Sequence, residues 1–292
     1  MRLRVFGGGA RSARSLDHLG QQFRRPLAYP HAGSAIDDAV LRHTFLHAPG
    51  VGYVTEKRIW RQAPTWEEYL AREDKVRIPA RLRAGLSRVV RESDRRLSAR
   101  DHRFFAAWLP TPERWRAYGE FREDAAYLDI ETTGLNWSGD LITLVGVSDG
   151  RTFRTYIRGV DLDELASDLR RFKVLVTFNG THFDLPILRN AFPSLPSPLH
   201  IDLQYPMRRL GVRGGLKRIE RRLGLERPDD LKGLTGSDAV KLWRRYERGD
   251  DDALDALIGY NRQDVENLQP LMDYAYRALR AKCLGGSPPK LW

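Results

Sequence analysis

Two carboxylates stand two residues apart at the close of an apolar run: Asp129 and Glu131 in "YLDIETTGL", Tyr127 to Leu135. On an extended strand, residues i and i+2 project to the same face, so these acids point one way and repel each other. Something positive must sit between them. A solvated strand end is the ordinary fate of such a pair, and the short motif alone does not outweigh it. Two further segments add acids. "FNGTHFDLPIL" places Asp184 at the start of a helix, with Asn179 five residues before it. "YNRQDVENL" places Tyr260 and Asp264 four apart, on one face of a helix. Singly, each has a plain structural reading: a loop-capping acid, an N-cap, or a solvated helix position with Tyr260 packed on the core. Jointly those readings lose weight.

The elements that must position these residues are legible from period and punctuation. From Ala125, "AAYLDI", "LITLVGV" (Leu141 to Val147) and "TFRTYI" (Thr152 to Ile157) read as strands joined by short turns, hence an antiparallel meander. "DLDELASDLRRF" reads as an amphipathic helix, and "VLVTF" (Val174 to Phe178) as a fourth strand returning beside the first. Helical segments dominate after Leu203, ending with a long one through Tyr260, Asp264, Leu268 and Leu271. Three hairpin strands, then helix, strand and further helices, form the ribonuclease H-like order: an α/β fold with a mixed sheet flanked by helices.

Asp-x-Glu after a first strand, Asn-x4-Asp after a later one and Tyr-x3-Asp on a terminal helix, in that order, resemble the DEDD 3′-5′ exonuclease superfamily, tyrosine subclass. The resemblance spans about residues 125 to 272 and is closest to bacterial ribonuclease H-like proteins of the YprB type. In those, "TFLHAPGVGYVTEKRIW" (Thr44 to Trp60) and "LPTPERWRAYGEF" (Leu109 to Phe121) are also familiar. The subclass rests on Tyr260, because a histidine subclass places His where this chain has Gly259. The resemblance implies two divalent cations, Mg²⁺ or Mn²⁺. Asp129 bridges them, Glu131 and Asp264 complete one site, and Asp184 supports the other. Hard oxygen ligands suit such ions, which relieve the repulsion among four carboxylates. Tyr260 then orients the attacking water, since an unperturbed pKa near ~10 makes it a poor general base. The implied activity is 3′-5′ exonucleolytic release of nucleoside monophosphates from single-stranded DNA or RNA ends. A structure-specific endonuclease and a catalytically silent nucleic-acid-binding module are the alternatives.

Composition agrees with a nucleic-acid partner. The chain of 292 residues carries 49 Lys+Arg against 38 Asp+Glu, a formal net charge of +11. Arg supplies most of the cations, and its planar fork suits phosphate. Most of the excess lies before residue 124. Residues 1–34 read as a loosely ordered basic arm and 35–123 as a mainly helical region. Residues 124–275 read as the ribonuclease H-like exonuclease domain and 276–292 as a tail. Within the helical region, a helix is expected from Ser34, and residues about 38–62 resemble a helix-hairpin-helix element. There Gly50 and Gly52 expose backbone N–H groups to phosphate, with Lys57 and Arg58 close behind. Thr132 and Leu135 are expected against the terminal nucleotide, Asn179 in the same cleft, and Lys217 near it as a strand-steering cation. Trp108, Trp115 and Tyr118 are expected to dock the helical region on the nuclease core. His43 and His47, four apart, lack the further ligands of a zinc site. A lone cysteine, Cys283, excludes an intramolecular disulfide and fits a reducing compartment. No run approaches the ~20 apolar residues of a membrane span. The expectation is a cytoplasmic protein with neither a membrane segment nor a small-molecule cofactor.

Overall fold

The apolar run that ends in the two acids forms β1 (Ala125–Thr132), the central strand of a five-stranded sheet ordered β3-β2-β1-β4-β5. The computed structural model describes residues 40–134 and 142–285. β2 (Ile142–Ser148) runs antiparallel to β1, and β3 (Phe153–Ile157) antiparallel to β2. β4 (Val174–Thr177) lies parallel to β1, and β5 (Leu199–Asp202) parallel to β4. The fold is therefore the mixed sheet expected of a ribonuclease H-like chain. The fifth strand is one element that the sequence pattern did not reveal. Its four residues, "LHID", follow Pro196 and Pro198 and are too few to display a period.

Alternation along β1 divides the core in two. Ala126, Leu128 and Ile130 face a cluster with Val145, Val147, Leu165, Leu169 and Leu185. These include residues of α6 (Leu165–Asp168) and α7 (Asp184–Ala191), whose first residue is Asp184. The other sheet face meets α11 (Asp251–Leu284) through Leu144, Ile157, Leu254, Leu257 and Tyr260. Asp129 and Glu131 have the opposite parity to Leu128 and Ile130, so they point toward α11. Truncating a fully buried leucine such as Leu128 to alanine would cost about 2–5 kcal/mol. The alternation is thus strongly enforced, and a one-residue slip would turn both acids into the apolar layer.

Upstream, the chain is helical: α1 (Tyr53–Trp60), α2 (Trp66–Ala71), α3 (Ala80–Ser98), α4 (His102–Trp108) and the single turn α5 (Tyr118–Phe121). Thr65 caps α2 by accepting the Glu68 N–H at 3.1 Å, as its spacing implied. The helix-hairpin-helix expectation fares differently. Ser34 lies outside the described residues, and within them one 3₁₀ turn, Leu41–His43, precedes the Ala48–Gly52 turn. The buried Glu56 carboxylate explains this geometry. It accepts the Phe45 and Leu46 N–H groups at 2.8 and 3.2 Å, holding that stretch as a loop instead of a helix.

Trp115 and Tyr118 do meet the nuclease part, both edge-on to Tyr276 of α11 at centroid separations of 6.1 and 5.6 Å. Tyr118 also donates to Asp273 and lies 2.6 Å from the Tyr127 hydroxyl of β1. Trp108 does not join them. It is 42% exposed and stacks on Phe104. The described residues belong to one compact unit that begins at Asp38. α11 continues past residue 275 to Leu284, burying Tyr276 and Leu279. After α7 the chain forms α8 (Gln204–Arg209), α9 (Leu216–Leu223) and α10 (Gly236–Tyr246) before α11. Among the described residues, no helix is long and apolar enough to cross a membrane.

Candidate metal centre

The last helix delivers the third acid to β1. Oxygens of Asp129, Glu131 and Asp264 all lie within 4.8 Å of one another. Asp184 stands beside this trio at the N-terminus of α7. It is 2% exposed, and one of its oxygens, Oδ1, has no hydrogen-bond partner.

Close approach of α11 depends on a glycine. Gly146 of β2 pairs with Asp129 of β1, and a Cβ there would fall 2.0 Å from Asn261 Oδ1 and 3.0 Å from Val265 Cγ2. With only hydrogen at that position, Asn261 reaches over the strand and donates to Asp129 Oδ2 at 3.1 Å. An isolated glycine within a strand signals such an approach, so this feature of "LITLVGV" was legible. Asn261 was legible too: it lies three residues before Asp264, on the same helix face.

Burial raises the proton affinity of every acid in the group, and repulsion within the group adds to it at Asp129 and Glu131. Asp129 is pushed well above the carboxylate range by burial first, then by Asp184, Asp264 and Glu131. Glu131 is pushed up to about 8, mainly by burial and Asp264, against the opposing pull of Asn261 and Lys217. Burial takes Asp184 to about 7. Asp264 is also raised by burial, although Arg227 opposes the shift. Arg227 binds Asp264 Oδ1 and shares its charge with Glu220, to which it donates twice at 2.7 Å. Asn267 of α11 holds Glu220 at 2.9 Å, so the guanidinium is anchored from behind. Arg227 lies in an irregular segment, "LERPDD", whose pattern gave no hint of this role.

This donor set fits a divalent cation. Three convergent carboxylates offer hard oxygens, an unpartnered carboxylate oxygen lies buried beside them, and too little positive charge faces them. Tyr260, 5% exposed, caps the group on its α11 side. Its hydroxyl accepts from Lys217 Nζ at 2.6 Å, and Lys217 also donates to the Leu234 carbonyl. The same ammonium lies 4.2 Å from the Tyr260 ring centroid. Burial and the nearby carboxylates raise the phenol far above its usual value, so it keeps its proton.

The remaining expected positions fall in three places. Asn179 follows β4 with a left-handed φ of +64° and lines a cavity of about 750 Å³ shared with Phe178, Arg208 and Arg213. Its backbone is held by Asp202 at the end of β5, which accepts the N–H groups of Asn179, Thr181 and Gln204 at 2.8–3.0 Å. Asp202 was missed with its strand. Thr132 closes β1 at a register irregularity, with its hydroxyl donating to the Gly134 carbonyl at 2.7 Å, while Leu135 lies outside the described residues. Gly50, in a left-handed turn, Gly52, Lys57 and Arg58 lie on the α1 side and are exposed. His43 Nδ1 lies 2.9 Å from the Pro64 carbonyl, and His47 Nε2 lies 2.7 Å from the Ser93 hydroxyl.

Comparison with solved structures finds distant likeness. A family B DNA polymerase from the archaeon Pyrobaculum calidifontis is 18% identical over 53% of this chain, with a TM-score of 0.40. The match takes in only 26% of the polymerase, about a quarter of its length. NrnC of Brucella melitensis is 24% identical over 60% of this chain and 79% of its own, with a TM-score of 0.42. NrnC with bound Mg²⁺ is 22% identical over 61% of this chain and 92% of its own, with a TM-score of 0.29. No curated protein matches the chain significantly. The family comparison is decisive, because the model of the RNase_H superfamily matches residues 126–276, from the second residue of β1 into the last helix. The chain belongs to the RNase_H superfamily.

Proposed function

We propose that this protein is a two-metal-ion 3′-5′ exonuclease that hydrolyses phosphodiester bonds of single-stranded nucleic acid to nucleoside monophosphates. The observation that carries the reading is the convergence of Asp129, Glu131 and Asp264 within 4.8 Å, beside the buried, unpartnered Asp184 Oδ1. Asp129, Glu131, Asp184 and Asp264 are the ligands, and Mg²⁺ or Mn²⁺ bound there supplies a nucleophilic water at neutral pH and charge stabilisation for the leaving oxygen. The remaining roles belong to side chains of the chain itself. Tyr260 keeps its phenolic proton and orients the attacking water through it, because the hydroxyl oxygen already accepts from Lys217. Arg227 and Asn261 fix Asp264 and Asp129 in place before any ion arrives. Asn179 and Thr132 border the path of the terminal nucleotide, and Lys217 adds positive charge at its edge.

The test uses linear oligonucleotides, DNA and RNA, labelled at either end, together with a circular single strand, each incubated with Mn²⁺ or with chelator. The expected result is metal-dependent stepwise shortening from the 3′ end, with the circle left intact. Cleavage of the circle would replace the exonuclease with an endonuclease. Failure to cut any of these substrates, in protein confirmed as folded, would reject the enzyme reading.

A further inference from the structure

A second cavity, of about 380 Å³, lies between α1 and the far end of α11, lined by Tyr53, Lys57, Trp60, Arg61, Arg209 and Lys282. Its charge is not neutralised locally. Lys57, Arg61 and Lys282 make no ion pair among the described residues, and all three are exposed. Three arginines of α3 behave differently: Arg91 pairs with Glu73, and Arg95 and Arg96 pair with Glu92. Arg209 is balanced by Glu113, and Glu56 at the cavity wall by Arg116, so the uncompensated charge is that of the two lysines and Arg61.

Aromatic surface accompanies this charge. Tyr53 is 50% exposed and Val54, beside it, 76%. The Tyr53 ring is held in place, since its hydroxyl donates to Glu113 at 2.8 Å and the Arg209 guanidinium lies 5.2 Å from its centroid. A rigid half-exposed ring among unpaired cations is the combination that holds a nucleic-acid strand: phosphates meet the cations, and a base stacks on the ring without sequence preference. An acidic peptide would satisfy the cations but gives no reason for the fixed aromatic platform.

Resting on the reading that the chain acts on nucleic acid, we infer that this cavity is a second strand-binding site that grips the substrate away from the acids. α11 sets the separation. Asp264 and Lys282 lie on the same helix, 18 residues apart, or about 27 Å at ~1.5 Å per residue. That spans roughly eight nucleotides of a stacked strand at ~3.4 Å each. A trinucleotide reaches one site only, whereas a 20-mer engages both, and joining two weak contacts raises the apparent affinity.

The experiment is fluorescence anisotropy of labelled single-stranded 20-mers and trinucleotides, in chelator so that nothing is degraded. It compares the unaltered full chain with the triple variant Lys57→Ala/Arg61→Ala/Lys282→Ala, thermal melting confirming its fold. The charge reversal Lys282→Glu serves as a second, single-site variant. Affinity for the 20-mer should fall on the order of tenfold in the triple variant, with the salt slope smaller by about 2, while trinucleotide affinity changes less than twofold. Unchanged 20-mer affinity in both folded variants would overturn the proposal. So would an equal loss for both lengths, which would place the cations at the acids instead. Because this readout needs no turnover, an inactive protein that still shows the length-dependent loss would sink the exonuclease and leave the strand site standing.

Discussion

Two ionic clusters buried among the described residues are built on opposite plans. Around Arg116, itself 0% exposed, two carboxylates meet two guanidiniums: Arg116 donates to Glu113 at 2.7 Å and to Glu56 at 2.9 and 3.0 Å, and Arg209 pairs with Glu113. Around Asp129, three carboxylates converge beside a fourth. The nearest guanidinium, Arg227, is shared with Glu220, and the nearest ammonium is spent on a phenol and a carbonyl. Burying charge is costly unless it is compensated within the protein or by something that binds there. The first cluster is complete and holds the helical region together. The second is incomplete, and that deficit is what the proposed metal site would fill.

Substitutions separate the two plans. Asp129→Asn should lower metal-dependent cleavage by a factor on the order of 10³, while leaving stability in chelator unchanged or slightly raised, because one repelled carboxylate is removed. Oligonucleotide hydrolysis and a thermal melt in chelator read the two halves, and a large loss of melting temperature would mean that the acid is structural. Arg116→Met should do the reverse, costing about 3–5 kcal/mol by leaving Glu56 and Glu113 uncompensated, as measured by urea unfolding. A loss below about 1 kcal/mol would show that this cluster, too, is not needed for the fold.

Gly146→Ala should cost about 1–3 kcal/mol, since its Cβ meets Asn261 and Val265, and should weaken Mn²⁺ binding by calorimetry as α11 is displaced. Normal metal affinity in that variant would show that the helix can shift without disturbing Asp129. The last test concerns pH. In metal-free protein, Glu131 at about 8 and Asp184 at about 7 hold protons that the unfolded chain releases near its ordinary values of 4.5 and 3.8. The native state thus binds more protons across that window, and stability should fall as pH rises from about 4 to 8. Differential scanning in chelator should show a melting temperature that falls steadily across that window, and saturating Mn²⁺ should abolish the decline at the alkaline end. A melting temperature that climbs with pH would contradict the raised proton affinities.

The acids were legible in the sequence because strand parity and helix spacing constrain them tightly. Asp129 and Glu131 share a face by period two, and Tyr260 and Asp264 by i,i+4. What supports them was less so. Gly146 and Asn261 left recognisable signals that needed the knowledge that β2 and α11 touch. Arg227 and Asp202 left little, because one sits in an irregular segment and the other ends a strand too short to display a period. Long-range pairing decides both, and local pattern carries no trace of it. The turn around Gly50 shows the converse: its glycines resembled a helix-hairpin-helix element, yet the buried carboxylate of Glu56, inside that same stretch, holds the preceding residues as a loop.

A single helix carries Tyr260 and Asp264 in its first half and Asp273 and Tyr276, beneath the helical region, in its second. Adding one residue between Val265 and Asp273 would rotate everything beyond it by about 100° and advance it by ~1.5 Å. Tyr118 and Trp115 would then face the wrong side of the rod. The two halves are geared together, and evolution can lengthen the loops of this protein far more freely than it can respace its last helix.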